Sequence, residues 1–124
     1  MLWLYIALGG ALGAVSRYAL GNIISQQLGA SFPYGTLSVN ILGSFVIGVL
    51  WVWLAQQQWG NPAYKQFLIV GFLGAFTTFS SFSLDSILLL QQERLLAFAG
   101  YVSISVIGCL IATIAGILAT KIWV

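Results

Sequence analysis

The chain has 124 residues, 60% of them hydrophobic, with four Lys or Arg, two Asp or Glu and no His. So little charge leaves too little polar surface for a small soluble domain, and a net charge of +2 without a basic cluster gives no footing for nucleic-acid binding. Arg17 is the only charged side chain before Lys65, none lies between Lys65 and Asp85, and none lies between Arg94 and Lys121. Each of these stretches can hold a membrane-spanning helix of roughly 20 residues.

The first helix is predicted over residues 2–28. It has no basic flank and no polar domain follows it, so it reads as a retained span rather than a cleaved leader. Gly9, Gly13, Arg17 and Gly21 recur every fourth residue and share a face. Small residues admit a close neighbour, so Arg17 is expected to face protein, either in a functional role or as a guanidinium that braces a helix pair or snorkels to headgroups. Gly29 to Pro33 form a turn.

The second helix is predicted over 34–58 and aligns Thr36, Asn40, Ser44 and Gly48. An unpaired amide in hydrocarbon is costly, so Asn40 needs a protein partner or a wet lining. After a second turn at Gly60, Asn61 and Pro62, a third helix is predicted over 63–92. Its centre, residues 71–83, concentrates Gly, Thr and Ser, which are poor helix formers and can bond locally to released backbone groups. A break is expected around 74–78, at bilayer mid-depth. Irregular backbone in a membrane survives only where protein covers it or water reaches it, so such a break marks a site. Phe79 and Phe82 lie beside Ser80 and Ser81, and rings turned edge-on offer positive edges to a small anion, although packing is the commoner role for such phenylalanines.

Gln91 to Arg94 form a polar hairpin tip before the fourth helix, predicted over 95–123. There Tyr101, Ser105, Cys109 and Thr113 line up as weak donors, which either form a ladder for an anion or bond back to their own helix carbonyls. Cys109, the single cysteine, is expected as a buried thiol. Trp3, Tyr5, Tyr34, Trp53, Trp59, Tyr64 and Trp123 cluster near predicted helix ends, as interfacial anchors do. With four spans both termini share a side with Lys65 and Lys121, a slight bias towards cytoplasmic termini that permits insertion both ways. There is no internal repeat, so a two-fold pore requires two copies.

No nucleophile has a base beside it, and Asp85 and Glu93 are the only acids, which argues against an enzyme. Metal sites built from His, Cys or carboxylates are excluded by count, whereas a hard monovalent cation held by backbone carbonyls at the break stays open. A small dual-topology multidrug transporter would need a buried acid in the first helices, and none is there. A non-transporting scaffold, whose polar stripes only join helices, is a third class.

Three blocks, GALGAVSRY at 10–18, GTLSVNILGSF at 35–45 and GFLGAFTTFSSF at 71–82, resemble the bacterial Fluc (CrcB) fluoride channel family, and the resemblance runs over essentially the whole chain. It implies an all-α membrane protein of four transmembrane helices with a mid-membrane break in the third. It further implies an antiparallel, dual-topology homodimer in the bacterial inner membrane with two pores that passively release fluoride. By that resemblance, the carbonyls of Gly74 and Thr77 hold a structural sodium ion at the dimer centre, Asn40, Phe79, Phe82, Ser80, Ser81, Tyr101 and Ser105 line the fluoride pore, and Arg17 stands in the vestibule. Two positions depart from the family pattern: Ala75 replaces a usual glycine and Ser81 a usual threonine. No role follows for Ser83, Asp85 or Ser86.

Overall fold

A computed structural model describes residues 1–57 and 60–124. Among them there are helices and no strands. Four helical stretches, Leu2–Leu28, Tyr34–Gln56, Pro62–Gln91 and Leu95–Trp123, are long and apolar enough to cross a membrane. The first two are α1 and α2, and the last is α6. The third stretch is composite: α3 (Pro62–Lys65), a π-helical segment (Gln66–Leu73), α4 (Gly74–Phe76) and α5 (Phe79–Gln91). Gln58 and Trp59, the end of the predicted second helix and one of the expected anchors, lie outside the described residues.

Local chemistry sets the ends. Gly29 closes α1 with φ 91°, a value that glycine adopts without strain, and its amide donates to the Ser25 carbonyl at 2.9 Å. Asn61 caps α3 by accepting from the Ala63 amide at 2.9 Å, and Pro62 follows at the first helical position, where its missing N–H costs nothing. Thr78 caps α5 by accepting from the Ser81 amide at 3.2 Å.

The helices meet along two seams, α1 against the π-helical segment and α2 against α6. Glycines set the spacing. A Cβ on Gly13 would lie 2.1 Å from the Phe72 carbonyl oxygen, and one on Gly116 would lie 2.2 Å from that of Phe45. The backbones therefore abut, as small residues allow in lipid, where burial of apolar area between helices gives no driving force. Between the seams Val39, Leu73 and Phe76 form a small buried core. The Phe72 and Phe76 rings stack over it with centroids 5.7 Å apart. Outside it, large apolar side chains such as Leu12, Val15, Ile111 and Ile114 point outward, as a lipid-facing surface requires.

Candidate functional site: a groove at the interrupted third span

The third span leaves helical geometry at Thr77 (φ −85°, ψ 153°) and Thr78 (φ −149°, ψ 116°), the last two residues of the stretch 74–78. Two extended residues between helices release backbone groups that each cost several kcal/mol if left bare in hydrocarbon. Side chains from the neighbouring helices take up several of them. Asn40 on α2 accepts from the Thr78 amide at 2.7 Å and donates to the Thr78 carbonyl at 3.0 Å, so one amide group pairs with both backbone groups of one residue. Arg17 on α1 donates through Nε to the Ala75 carbonyl at 3.0 Å. The Thr77 hydroxyl returns to the Leu73 carbonyl at 2.9 Å, and its methyl fills the space over Gly43, where a Cβ would lie 2.2 Å from it.

The carbonyls of Gly74 and Thr77 are among those left free. In a continuous helix the Thr78 amide would bond to the Gly74 carbonyl and the Ser81 amide to the Thr77 carbonyl. Asn40 takes the first of these amides and the Thr78 hydroxyl takes the second. Neither carbonyl receives a hydrogen bond from any described residue. Gly74 is exposed, and Ala75 keeps a negative φ, since Glu93 alone among described non-glycine residues has a positive one. The Ala75 side chain therefore imposes no backbone strain at the break.

Beside the break lies a groove of about 450 Å³. It brings together Asn40, Gly74, Thr77, Phe79, Phe82 and Ser105 from the sequence-predicted set, with Cys109 of the expected donor ladder, and adds Thr78. No described lining residue carries a formal charge. Its polar groups are hydroxyls, an amide, a thiol and backbone, which can solvate an ion without trapping it. Ser105 Oγ is buried and has no hydrogen-bond partner among the described residues. Thr78 Oγ1 lies 3.2 Å from both Ser80 Oγ and Ser81 Oγ, forming a hydroxyl cluster at the start of α5.

The other expected residues are placed differently. Arg17 and Ser81 line a separate cavity of about 180 Å³ on the far side of Thr78. Tyr101 is wholly buried, and its hydroxyl donates to Asp85 Oδ2 at 3.2 Å, so it does not line the groove. Of the expected ladder on α6, Thr113 is likewise engaged, with the Ser44 and Cys109 carbonyls. Only Ser105 and Cys109 remain available to the groove. Cys109 is half-buried there rather than sealed in a core. Ser86 bonds back to the Phe82 carbonyl at 2.7 Å and Ser83 is exposed, while Asp85 reaches Tyr101 and a polar cavity of about 250 Å³.

Aromatic rings link these places. Phe79 and Phe82 meet at 5.3 Å with planes tilted by 54°, and Phe82 and Tyr101 at 5.4 Å and 50°. Phe79 is 78% exposed in the single chain, a large apolar ring beside the groove that lacks a cover.

Thr78 is the residue that sequence reasoning passed over. Its signal was a β-branched cap residue three positions before Ser81, placed opposite Asn40; spacing within one helix cannot show such a pairing between two.

Residues 4–117 match the family described as CrcB-like protein, Camphor Resistance (CrcB). The chain is 50% identical over 118 residues to a protein of Hahella chejuensis named Fluoride-specific ion channel FluC, covering 95% of this chain and 93% of the relative. It is 45% identical over 119 residues to a protein of the same name from Magnetococcus marinus, covering 95% and 96%. A third, from Rhizobium meliloti, is 43% identical over 114 residues, or 92% and 91% of the two chains.

Proposed function

The chain belongs to the CrcB family, and from that premise we propose that it is a fluoride channel formed by two copies inserted in opposite orientations, each pair enclosing two pores. It is a multi-pass bacterial membrane protein and not an enzyme. Flow through it is passive, because no charged site couples transport to protons and no phosphate-binding loop is present. Fluoride that enters cells as the weak acid HF and dissociates then leaves down its electrochemical gradient.

The observation that carries this reading is the clamp of Asn40 on Thr78 beside a buried, unpartnered Ser105 hydroxyl. The clamp holds the chain open, and the hydroxyl offers what a desolvated anion needs. Fluoride is small and strongly hydrated, so a pore replaces its water with close donors. Ser105 and Cys109 act on one wall, the Thr78, Ser80 and Ser81 hydroxyls near the break, and the ring edges of Phe79 and Phe82 between them. Chloride is excluded by width. The exposed Phe79 is covered by the second copy, which completes the wall that a single chain leaves open.

The free carbonyls of Gly74 and Thr77 fit a hard cation, which prefers oxygen ligands. Two carbonyls from each chain give four oxygens in a symmetric pair, and a sodium ion bound there would fix the centre of the dimer. Arg17 braces this arrangement through Ala75 rather than attracting anions from an open vestibule. A small multidrug transporter is not favoured, since α1 and α2 carry no acid to bind a cationic substrate.

Reconstituted vesicles test the reading. Purified protein should release fluoride and retain chloride, measured with ion-selective electrodes. Equal release of both anions would end the selectivity assignment.

A further inference from the structure

At the tip between α5 and α6 a carboxylate stands where glycine would be more relaxed. The Glu93 amide donates to the Leu90 carbonyl at 3.0 Å, and the Arg94 amide to the Leu89 carbonyl at 3.1 Å. This pair of bonds closes a helix end whose reversing residue is commonly glycine, because its φ is positive. Here that residue is Glu93, with φ 58°. A side chain at such a position carries strain that glycine avoids. The Glu93 side chain is exposed and makes no hydrogen bond or ion pair with any described residue, so no such contact compensates for the strain. Arg94 donates through one terminal nitrogen to the Ser31 carbonyl, which ties the tip to the turn before α2. Its other guanidinium N–H groups have no partner among the described residues.

Both side chains line an open trough of about 660 Å³. Its other walls are apolar, formed by Phe32 and by residues of α6 between Leu95 and Ile104. Outside the local helix backbone, no atom lies within 4 Å of the place that a Cβ on Gly100 would take, so the trough is open over the middle of this stretch. From Leu96 to Ile104 the wall runs about 12 Å along the helix axis, away from the charged tip and into the span. The tip joins two membrane-spanning stretches, which puts its charges in the headgroup zone and the apolar wall below them. Lipid borders such a trough in a bilayer, and the charge pair selects its kind. A guanidinium binds a phosphate through charge-assisted hydrogen bonds, and a carboxylate accepts from a primary ammonium. Adjacent opposite charges therefore complement a zwitterionic headgroup. The carboxylate repels a purely anionic one, and a quaternary ammonium has no N–H to donate.

We propose that this trough is a phospholipid site that prefers phosphatidylethanolamine, with the lipid phosphate on Arg94, its ammonium on Glu93 and an acyl chain along Ala97, Gly100 and Ile104. The assignment goes beyond the channel reading and does not rest on conduction.

Competition for bound lipid tests it. Protein purified in detergent is equilibrated with phosphatidylethanolamine, phosphatidylcholine and phosphatidylglycerol of identical acyl chains, and the lipid that stays bound is counted by native mass spectrometry. Phosphatidylethanolamine should be retained severalfold over either competitor. Glu93→Gly relieves the strained φ, so its melting temperature should hold or rise while the preference among the three headgroups vanishes. Gly100→Leu places a side chain in open space and should lower retention of all three lipids. Equal retention of the three by the wild-type protein, a preference for phosphatidylglycerol, or a preference that persists in Glu93→Gly overturns the site. Unchanged retention in Gly100→Leu overturns it as well. Displacement of the bound lipid by inorganic phosphate would reveal a free-anion site and have the same consequence.

Discussion

Gly13 and Gly74 are the same residue in opposite surroundings. At the α1 seam a Cβ on Gly13 would lie 2.1 Å from the Phe72 carbonyl oxygen, whereas at the break the nearest neighbour to a Cβ on Gly74 is the Ile69 carbonyl oxygen at 3.8 Å. The seam shuts backbone against backbone and leaves no room for a side chain. At the break no such contact crowds Gly74, and a side chain there would meet open space. A membrane protein of this size thus uses one residue type both at a closed helix contact and at an open break. What decides between them is whether a neighbouring helix or an open groove lies opposite.

The sharpest way to break this contrast is Gly13→Ala. The added methyl must push α1 off the π-helical segment, and overpacking of this kind costs about 3 kcal/mol at the upper end of its usual range. Thermal unfolding in detergent should show a large fall in melting temperature, with fluoride efflux lost because the span that carries the break is displaced. An unchanged melting temperature would mean that the seam is loose and that the two glycines do not differ.

A smaller effect is expected at the break itself. Asn40→Asp keeps an acceptor for the Thr78 amide but turns the donor that serves the Thr78 carbonyl into a second acceptor. The abandoned carbonyl costs about 1–3 kcal/mol. A negative charge also enters the groove, so fluoride efflux should drop far more than stability does. Wild-type efflux from this variant would place Asn40 outside the conduction path.

The sequence carries much of the outline because lipid leaves a chain few options. Apolar stretches separated by Gly29 to Pro33, by Asn61 and Pro62 and by Glu93 and Arg94 mark the four spans, since each turn residue has a local reason to stop a helix. The cluster of Thr, Ser and Gly at 71–83 likewise points to an irregular stretch. The pairings were not legible. Nothing in one helix says that Asn40 spends both polar atoms on Thr78, that Arg17 reaches the Ala75 carbonyl, or that Tyr101 is drawn away from the groove by Asp85. A ladder of four donors on α6 is a correct statement of which face they share, yet Thr113 answers to the Ser44 carbonyl and leaves only the middle pair for a ligand. Helical spacing fixes a residue's face, whereas its chemistry depends on the neighbour opposite.

The smallest effect belongs to Gly74→Ala. Gly74 has helical dihedrals, φ −60° and ψ −32°, which any L-residue adopts, and alanine in a helix is favoured over glycine by about 1 kcal/mol. Its side chain meets no atom of the same chain closer than ordinary contact. Its carbonyl, which the proposed cation site would use, is present in both residues. Melting temperature should therefore hold or rise slightly, and fluoride efflux should persist. A destabilisation matching that of Gly13→Ala would erase the distinction between seam and break. A loss of the dimer with chain stability unchanged would sharpen it, because only the backbone of a second copy could then be pressing on the open side of Gly74.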